Sequence, residues 1–299
     1  MSIKVEKISK QYGEQYALSN VSFSIEKGEI VGFLGPNGAG KSTLMKILTT
    51  YLQANGGSAK VCGMNVEDQA EDVRKRVGYL PEHNPLYLEM FVQEYLSFVA
   101  GIHGIDKSRV KEMIEKTGLT PEAHKKIGEL SKGYRQRVGL AQAMIHNPDV
   151  LILDEPTTGL DPNQIVEIRS LIQEVGKDKT VLFSTHIMQE VEAVCSRVII
   201  INKGKIVADK PVSELRSLVK DAQVVTVEFD GETTKEALMG IPGVKEVKSV
   251  GKNTWRLASS TSADLRKSLF KFAVDREMSI LQQQSEDQKL ESVFQKLTK

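Results

Sequence analysis

The stretch GPNGAGKST, Gly35-Pro36-Asn37-Gly38-Ala39-Gly40-Lys41-Ser42-Thr43, follows the apolar run Ile30 to Leu34 and precedes a helix-like segment, Leu44 to Leu52. A strand that feeds a glycine-rich turn into a helix start gathers backbone N–H groups and the positive end of the helix dipole in one small volume. That environment suits a polyphosphate. Gly35, Gly38 and Gly40 leave out side chains where backbone has to approach phosphate oxygens. Lys41 supplies a cation to the outer phosphates, and the Ser42 hydroxyl is placed to ligate a magnesium ion bridging them. The full motif in this context sets aside a merely structural βα turn and predicts a nucleotide binder.

The 299 residues allow about two domains. With 40% hydrophobic and 26% charged residues and a formal net charge of +1, the composition is that of a folded protein with no overall pull toward nucleic acid or an anionic membrane. Any such partner must be met by a local surface. Cys62 and Cys195 are far apart and lack metal-ligand spacing, which suits a reducing compartment and a role as core filler. The densest apolar runs, such as Val198 to Ile201, fall well short of the ~18–20 residues that cross a bilayer. The opening MSIKVEKISKQYG has no signal-like apolar core, so a location inside the cell is expected.

Residues 3 to 34 read as short strands, with Val21, Phe23 and Ile25 alternating and turn chemistry at Gly13 and Lys27-Gly28. The helix over Leu44 to Leu52 ends near Asn55-Gly56-Gly57, and a strand at Ser58 to Cys62 follows. From about 85 to 146, helices at Phe91 to Val99, Ser108 to Lys116 and Gln136 to Ile145 read as a helical subdomain. Two nearly all-apolar runs, Val150 to Leu153 and Thr180 to Ser184, flank a helix-like Asn163 to Val175, an alternation that predicts buried strands of a parallel sheet. Arg197 to Ile201 and Lys205 to Ala208, joined by Asn202-Lys203-Gly204, read as a hairpin.

Composition shifts near residue 215. Beyond it lie strands with Val225, Val227 and Phe229 alternating, at Val244 to Val250, at Thr254 to Leu257 and at Ser279 to Gln284, with helices around Lys235 to Met239 and from Asp264. The order β-α-β-β-α-β is that of a ferredoxin-like α+β domain. A last helix with Leu290, Val293, Phe294 and Leu297 on one face needs a surface to dock on, either its own domain or a partner subunit. The predicted division is 1–215, an α/β unit with an N-terminal antiparallel β part, and 220–299, an accessory α+β domain.

Asp154-Glu155 closes the run Val150 to Leu153 and so stands at the carboxyl end of a buried strand, the edge where ligands of parallel sheets bind. Asp154 suits a magnesium shell, and Glu155 suits orientation and deprotonation of a water attacking a γ-phosphoryl group. Ser184-Thr185-His186 ends the next apolar strand, bringing an imidazole to the same edge. His83, His103, His124 and His146 have no such setting and read as surface or packing residues. Leu130-Ser131-Lys132-Gly133-Tyr134 opens a helix, with Ser131 suited to be its N-cap; a helix N-terminus is also an anion site.

Together these residues resemble the nucleotide-binding subunit of an ABC transporter, an ATP-binding cassette, over residues 1 to about 215. The resemblance implies that Gly35 to Thr43 is the Walker A loop, Val150 to Asp154 the Walker B strand, Glu155 the catalytic carboxylate and His186 the switch histidine. It also implies that Leu130 to Tyr134 is the signature motif, that Gly159-Leu160-Asp161 crosses a dimer interface and that Tyr12 stacks on adenine. Ser131 and Gly133 are then expected to touch ATP held by a second cassette, so that two cassettes, as a homodimer, enclose two ATP molecules with Mg2+.

The sequence departs from the family pattern at two places. Lys132 and Tyr134 stand where a glycine and a glutamine are usual, and Glu82, in Tyr79-Leu80-Pro81-Glu82, stands where the family usually has glutamine. A carboxylate near phosphates is repelled unless magnesium or a proton compensates, so Glu82 is expected to meet the magnesium ion. This acid, the length and the appended tail resemble exporter-type cassettes, and MSIKVEKISKQYG with Met45 to Tyr51 resembles the gliding-motility-associated ATP-binding proteins of Bacteroidetes. The partners implied are a membrane-spanning permease and a second cassette, with no nucleic acid, and the location implied is peripheral on the inner face of the cell membrane. The alternative is a soluble cassette acting as an ATP switch on ribosomes or nucleic acid, for which one cassette, balanced charge and no sustained heptads give little support.

Overall fold

The structure, a computed structural model, describes residues 1–215, 224–259, 265–286 and 290–298. It forms two compact units, Met1–Val212 and Ser213–Leu297. In the first, β1 (Ile3–Tyr12), β2 (Gln15–Ile25), β4 (Gly56–Val61) and β5 (Met64–Asn65) make an antiparallel sheet in the order β2-β1-β4-β5. The inward residues Val21, Phe23 and Ile25 are buried, and Phe23 meets Phe33 at a ring separation of 5.8 Å. Phe33 belongs to β3 (Ile30–Leu34), so this contact seats the antiparallel sheet on the central one.

The central sheet joins β3 to β6 (Val77–Leu80), β7 (Val150–Asp154), β8 (Thr180–Thr185), β9 (Arg197–Asn202) and β10 (Lys205–Pro211), in the order β10-β9-β3-β8-β7-β6. All pairs are parallel except β9 with β10, whose turn places both Lys203 (φ 48) and Gly204 (φ 75) in the left-handed region that tight hairpins require. Register pairs Leu34 with Thr185 and Asp154 with Ser184, so β8 lies between the strand entering the glycine loop and the strand ending in two acids. Their carboxyl ends share one edge of the sheet.

Helix α1 (Lys41–Leu48) leaves the glycine loop and buries Leu44, Met45, Ile47 and Leu48. The apolar spacing predicts it as far as Leu52, but Thr50 takes φ 63, and the Tyr51 and Leu52 N–H groups turn back to the Lys46 carbonyl. A β-branched residue in that region ends the helix, while Leu52 still packs on the core. After α2 (Ala70–Arg76) come α3 (Val92–Ile102), α4 (Ser108–Lys116) and α5 (Lys132–Met144); α6 (Pro162–Gly176) links β7 to β8, and α7 (Met188–Val194) follows β8. The short α2 and β6 carry no clear signal in the sequence, while α5 starts where its capping serine, Ser131, predicts, ahead of the apolar spacing that begins at Gln136. Cys195 is buried and Cys62 half-buried against the core, both as free thiols. Among the described residues, no helix is long and apolar enough to cross a membrane.

The second unit contains β11 (Val224–Phe229), α8 (Lys235–Met239), β12 (Val244–Gly251), β13 (Thr254–Ser259), α9 (Leu265–Val274), β14 (Ile280–Glu286) and α10 (Leu290–Thr298). Its sheet, β12-β13-β11-β14, is antiparallel throughout and has the ferredoxin-like order. Val225, Val227 and Phe229 pack with Leu238, Leu257, Leu265 and Leu269 in a separate core. The expected helix start at Asp264 lies outside the described residues.

Candidate nucleotide site

At the carboxyl edge of the central sheet, a cavity of about 280 Å³ is lined by Asn37, Gly38, Gly40, Lys41, Ser42, Glu82, Glu155, Thr158 and His186. Gly35, Pro36, Ala39 and Thr43 continue the same loop, with the Gly35 N–H donating to the Thr185 carbonyl at 3.2 Å. The glycines have different causes. A Cβ on Gly35 would stand 2.5 Å from the Ile201 carbonyl oxygen, and Gly40, at φ 109, backs onto the Ala17 carbonyl. Close packing of the loop on its own neighbours therefore requires these two, whereas Gly38, at φ 77, meets nothing and leaves the space above the loop open.

Lys41 is buried beneath the loop. Its Nζ donates to the Gly35 carbonyl at 2.8 Å and the Pro36 carbonyl at 3.3 Å, and lies 3.2 Å from Glu155 Oε1. That last contact is a charge contact out of line for a hydrogen bond, which leaves Oε1 buried without a hydrogen-bond donor. Glu155 Oε2 meets His186 Nδ1 at 2.9 Å and accepts from Thr158 Oγ1 at 3.2 Å. Because a carboxylate only accepts, the imidazole carries its proton on Nδ1 in this arrangement.

Glu155 sits at φ 51, a left-handed conformation that costs about 1–2 kcal/mol for a residue with a side chain. Its N–H holds that shape by donating to Ser184 Oγ at 3.0 Å and the Ser184 carbonyl at 3.2 Å. Ser184 Oγ in turn donates to Asp154 Oδ1 at 2.6 Å, leaving Oδ2 of that buried acid available. Thr158, which the sequence does not single out, and Ser184, read there only as the end of a strand, both belong to the site. The signal was their adjacency to Glu155 and His186.

Among the described residues, no cluster of three or more His, Cys, Asp or Glu forms a metal cage. Magnesium keeps waters and substrate phosphate oxygens as most of its ligands and takes one or two from protein. Ser42 and Glu82 stand on the cavity wall, and Asp154 ends the adjoining strand. Tyr12, 53% exposed at the end of β1, does not line the cavity; neither do Ser131, Gly133 and Asp161.

Those three lie together elsewhere in the cassette. Ser131 caps α5, accepting from the Tyr134 N–H at 3.4 Å, and Asp161 caps α6, accepting from the Gln164 N–H at 3.0 Å. A Cβ on Gly133 would stand 2.5 Å from Gln164 Cδ, so the glycine lets the two helix starts approach. Lys132, where a second glycine is usual, lays its ammonium group against Gly159.

A parallel sheet of this order, with its phosphate loop one strand away from an acid and imidazole in contact, defines a P-loop nucleoside triphosphatase. Residues 18–158 match the family model described as ABC transporter, and 126–192 also match an AAA domain described as a putative AbiEii toxin of a Type IV TA system. The chain is 39% identical to the uncharacterized ABC transporter ATP-binding protein YxlF of Bacillus subtilis, over 72% of each chain. It is 31% identical to the linearmycin resistance ATP-binding protein LnrL of the same species, over 99% of this chain and 98% of the relative. A dimeric ATP-binding cassette in a post-hydrolysis state bound to ADP and Pi has a TM-score of 0.65 and 25% identity, covering 70% of this chain and 98% of its own. The chain therefore belongs to the ABC transporter ATP-binding proteins, and its reaction is the hydrolysis of ATP, taken as the magnesium complex.

Proposed function

We propose that this chain drives an exporter as a homodimer of cassettes beneath a membrane-spanning permease, and so works in the cytoplasm at the inner face of the membrane. The observation that carries the reading is Glu155, held within reach of both Lys41 and His186 on the wall of one cavity. Lys41 and the N–H groups from Gly38 to Thr43 bind the triphosphate, and Ser42, with Asp154 and Glu82, completes the magnesium shell. Glu155 orients the attacking water and takes its proton; His186 orients Glu155 and contacts the γ-phosphate. No covalent intermediate is needed, because positioning and charge stabilisation supply the acceleration.

Ser131, Gly133 and Asp161 act on the nucleotide of the second cassette, which agrees with their place outside this chain's own cavity. Tyr12 stacks on adenine. The helical segment from 85 to 146 is the docking region for the permease. Export is favoured by the full-length likeness to a resistance protein, which includes the tail. The gliding-motility reading rests on two short segments of sequence. The test is purification of the chain from membranes: a multispanning subunit and MgATP hydrolysis should accompany it. Recovery with ribosomes or nucleic acid, without a permease, overturns the assignment.

A further inference from the structure

Beneath the site lies a further carboxylate that the reaction as described does not use. Glu190 of α7 has none of its surface in solvent. Its Oε1 accepts from Thr157 Oγ1 and its Oε2 from Thr185 Oγ1, the latter at 2.5 Å. Arg169 of α6 brings Nη2 to 3.9 Å from Oε1, while its own Nε is buried without a hydrogen-bond partner. Thr185 Oγ1 also accepts from the Ile187 N–H at 3.0 Å.

We propose that Glu190 is a positioning residue for ATP hydrolysis: it staples the segment after β7 to the end of β8, keeping Glu155 against His186 and passing displacements of the Gly159-Leu160-Asp161 turn to the imidazole. The inference rests on the roles given above to Glu155 and His186. Thr157 lies two residues beyond Glu155 and two before Gly159, and Thr185 adjoins His186. The staple thus holds both catalytic groups close to their backbone roots, and Arg169 ties in α6, which starts at the same turn.

The chemistry demands a carboxylate. Two hydroxyl donors converge on one group, and an ionised carboxyl offers an acceptor to each, whereas an amide accepts through one oxygen and must donate through its nitrogen. Glutamine would force one threonine to reverse or to leave its proton unpaired. Burying a charge is unfavourable unless it is hydrogen-bonded and compensated, which two charge-assisted bonds and Arg169 provide. Apolar packing would anchor α7 without that penalty, so the charge is explained by what it orders.

The test uses the full chain with Glu190→Gln, Thr157→Val and Thr185→Val, reading MgATP affinity by nucleotide titration and kcat by phosphate release. Expected is an unchanged affinity with kcat lowered about tenfold to hundredfold in Glu190→Gln, as for a small misplacement of catalytic groups. Each valine variant should also lose kcat, and the two together should lose less than the product of their separate effects, because both act through one carboxylate. Wild-type kcat in Glu190→Gln, or affinity and kcat falling together, overturns the proposal. If Glu190→Gln does not fold, the valine variants decide: wild-type kcat in both overturns it equally. A Glu155→Gln control separates the premises, since its normal turnover would remove the underlying assignment rather than the staple.

Discussion

Glu155 faces a cation on one oxygen and an imidazole on the other, so replacing it by glutamine should spare binding and remove the base. Glu155→Gln is expected to hold MgATP while turnover falls by about 10²–10⁴, measured by equilibrium binding beside phosphate release; wild-type hydrolysis would exclude Glu155 as the base. Lys41→Ala, stripping the loop of its buried cation, should abolish nucleotide binding in the same titration. At Glu82 the expectation concerns magnesium: Glu82→Gln should lower ATPase activity most when the ion is scarce, and activity preserved or raised at every magnesium concentration defeats the metal role.

His146 stacks on His103 at 4.3 Å and bonds the Val77 carbonyl, and burial, then the charge of His103, push its imidazole down to about 4. The unfolded group titrates at 6.5, so the unfolded chain binds the extra proton first, and stability present above about pH 6.5 drains away toward pH 4. Melting curves of His146→Gln should show a shallower decline over that window than the wild type.

Among the elements, the start of α5 has two tasks that substitution can separate. Ser131→Asp keeps an N-cap of equal strength but sets a carboxylate where a phosphate is to dock. The melting temperature should hold while ATP-driven pairing of cassettes is lost, checked by calorimetry and light scattering. Most elements were legible because their periods are local: the alternation in β2, the apolar runs of β7 and β8, the glycine loop. β6 was not, since four residues carry too little pattern, and the end of α1 was set by the left-handed Thr50 rather than by apolar spacing. Glu190 was illegible for another reason: one of its partners, Thr157, lies 33 residues away, and nothing within α7 signals it.

For the whole molecule, Ser131 and Asp161 stand outside this chain's own cavity, and the proposed homodimer would bring them to the nucleotide of a second copy. Glu155→Gln with MgATP should run at twice the protomer mass and return to the monomer with ADP; a trapped ATP form that stays monomeric refutes the dimer. The two cores are distinct, and Val212 closes the first by donating its N–H to the Ser196 carbonyl at 3.0 Å. A chain ending at Val212 should therefore fold and bind MgATP, with any change in turnover reporting what the ferredoxin-like unit adds.

The sequence by itself determined the class of chemistry, ATP hydrolysis by a cassette, because the groups proposed to handle phosphate, metal and proton occupy fixed positions at strand ends and helix starts, where local spacing sets their placement. Tertiary structure alone decided which of those ends are neighbours. The crossovers place β8 between β3 and β7, out of chain order, and only that order sets His186 against Glu155, Glu155 beside Lys41, and the carboxylate of Glu190 between two threonines that chain distance keeps apart.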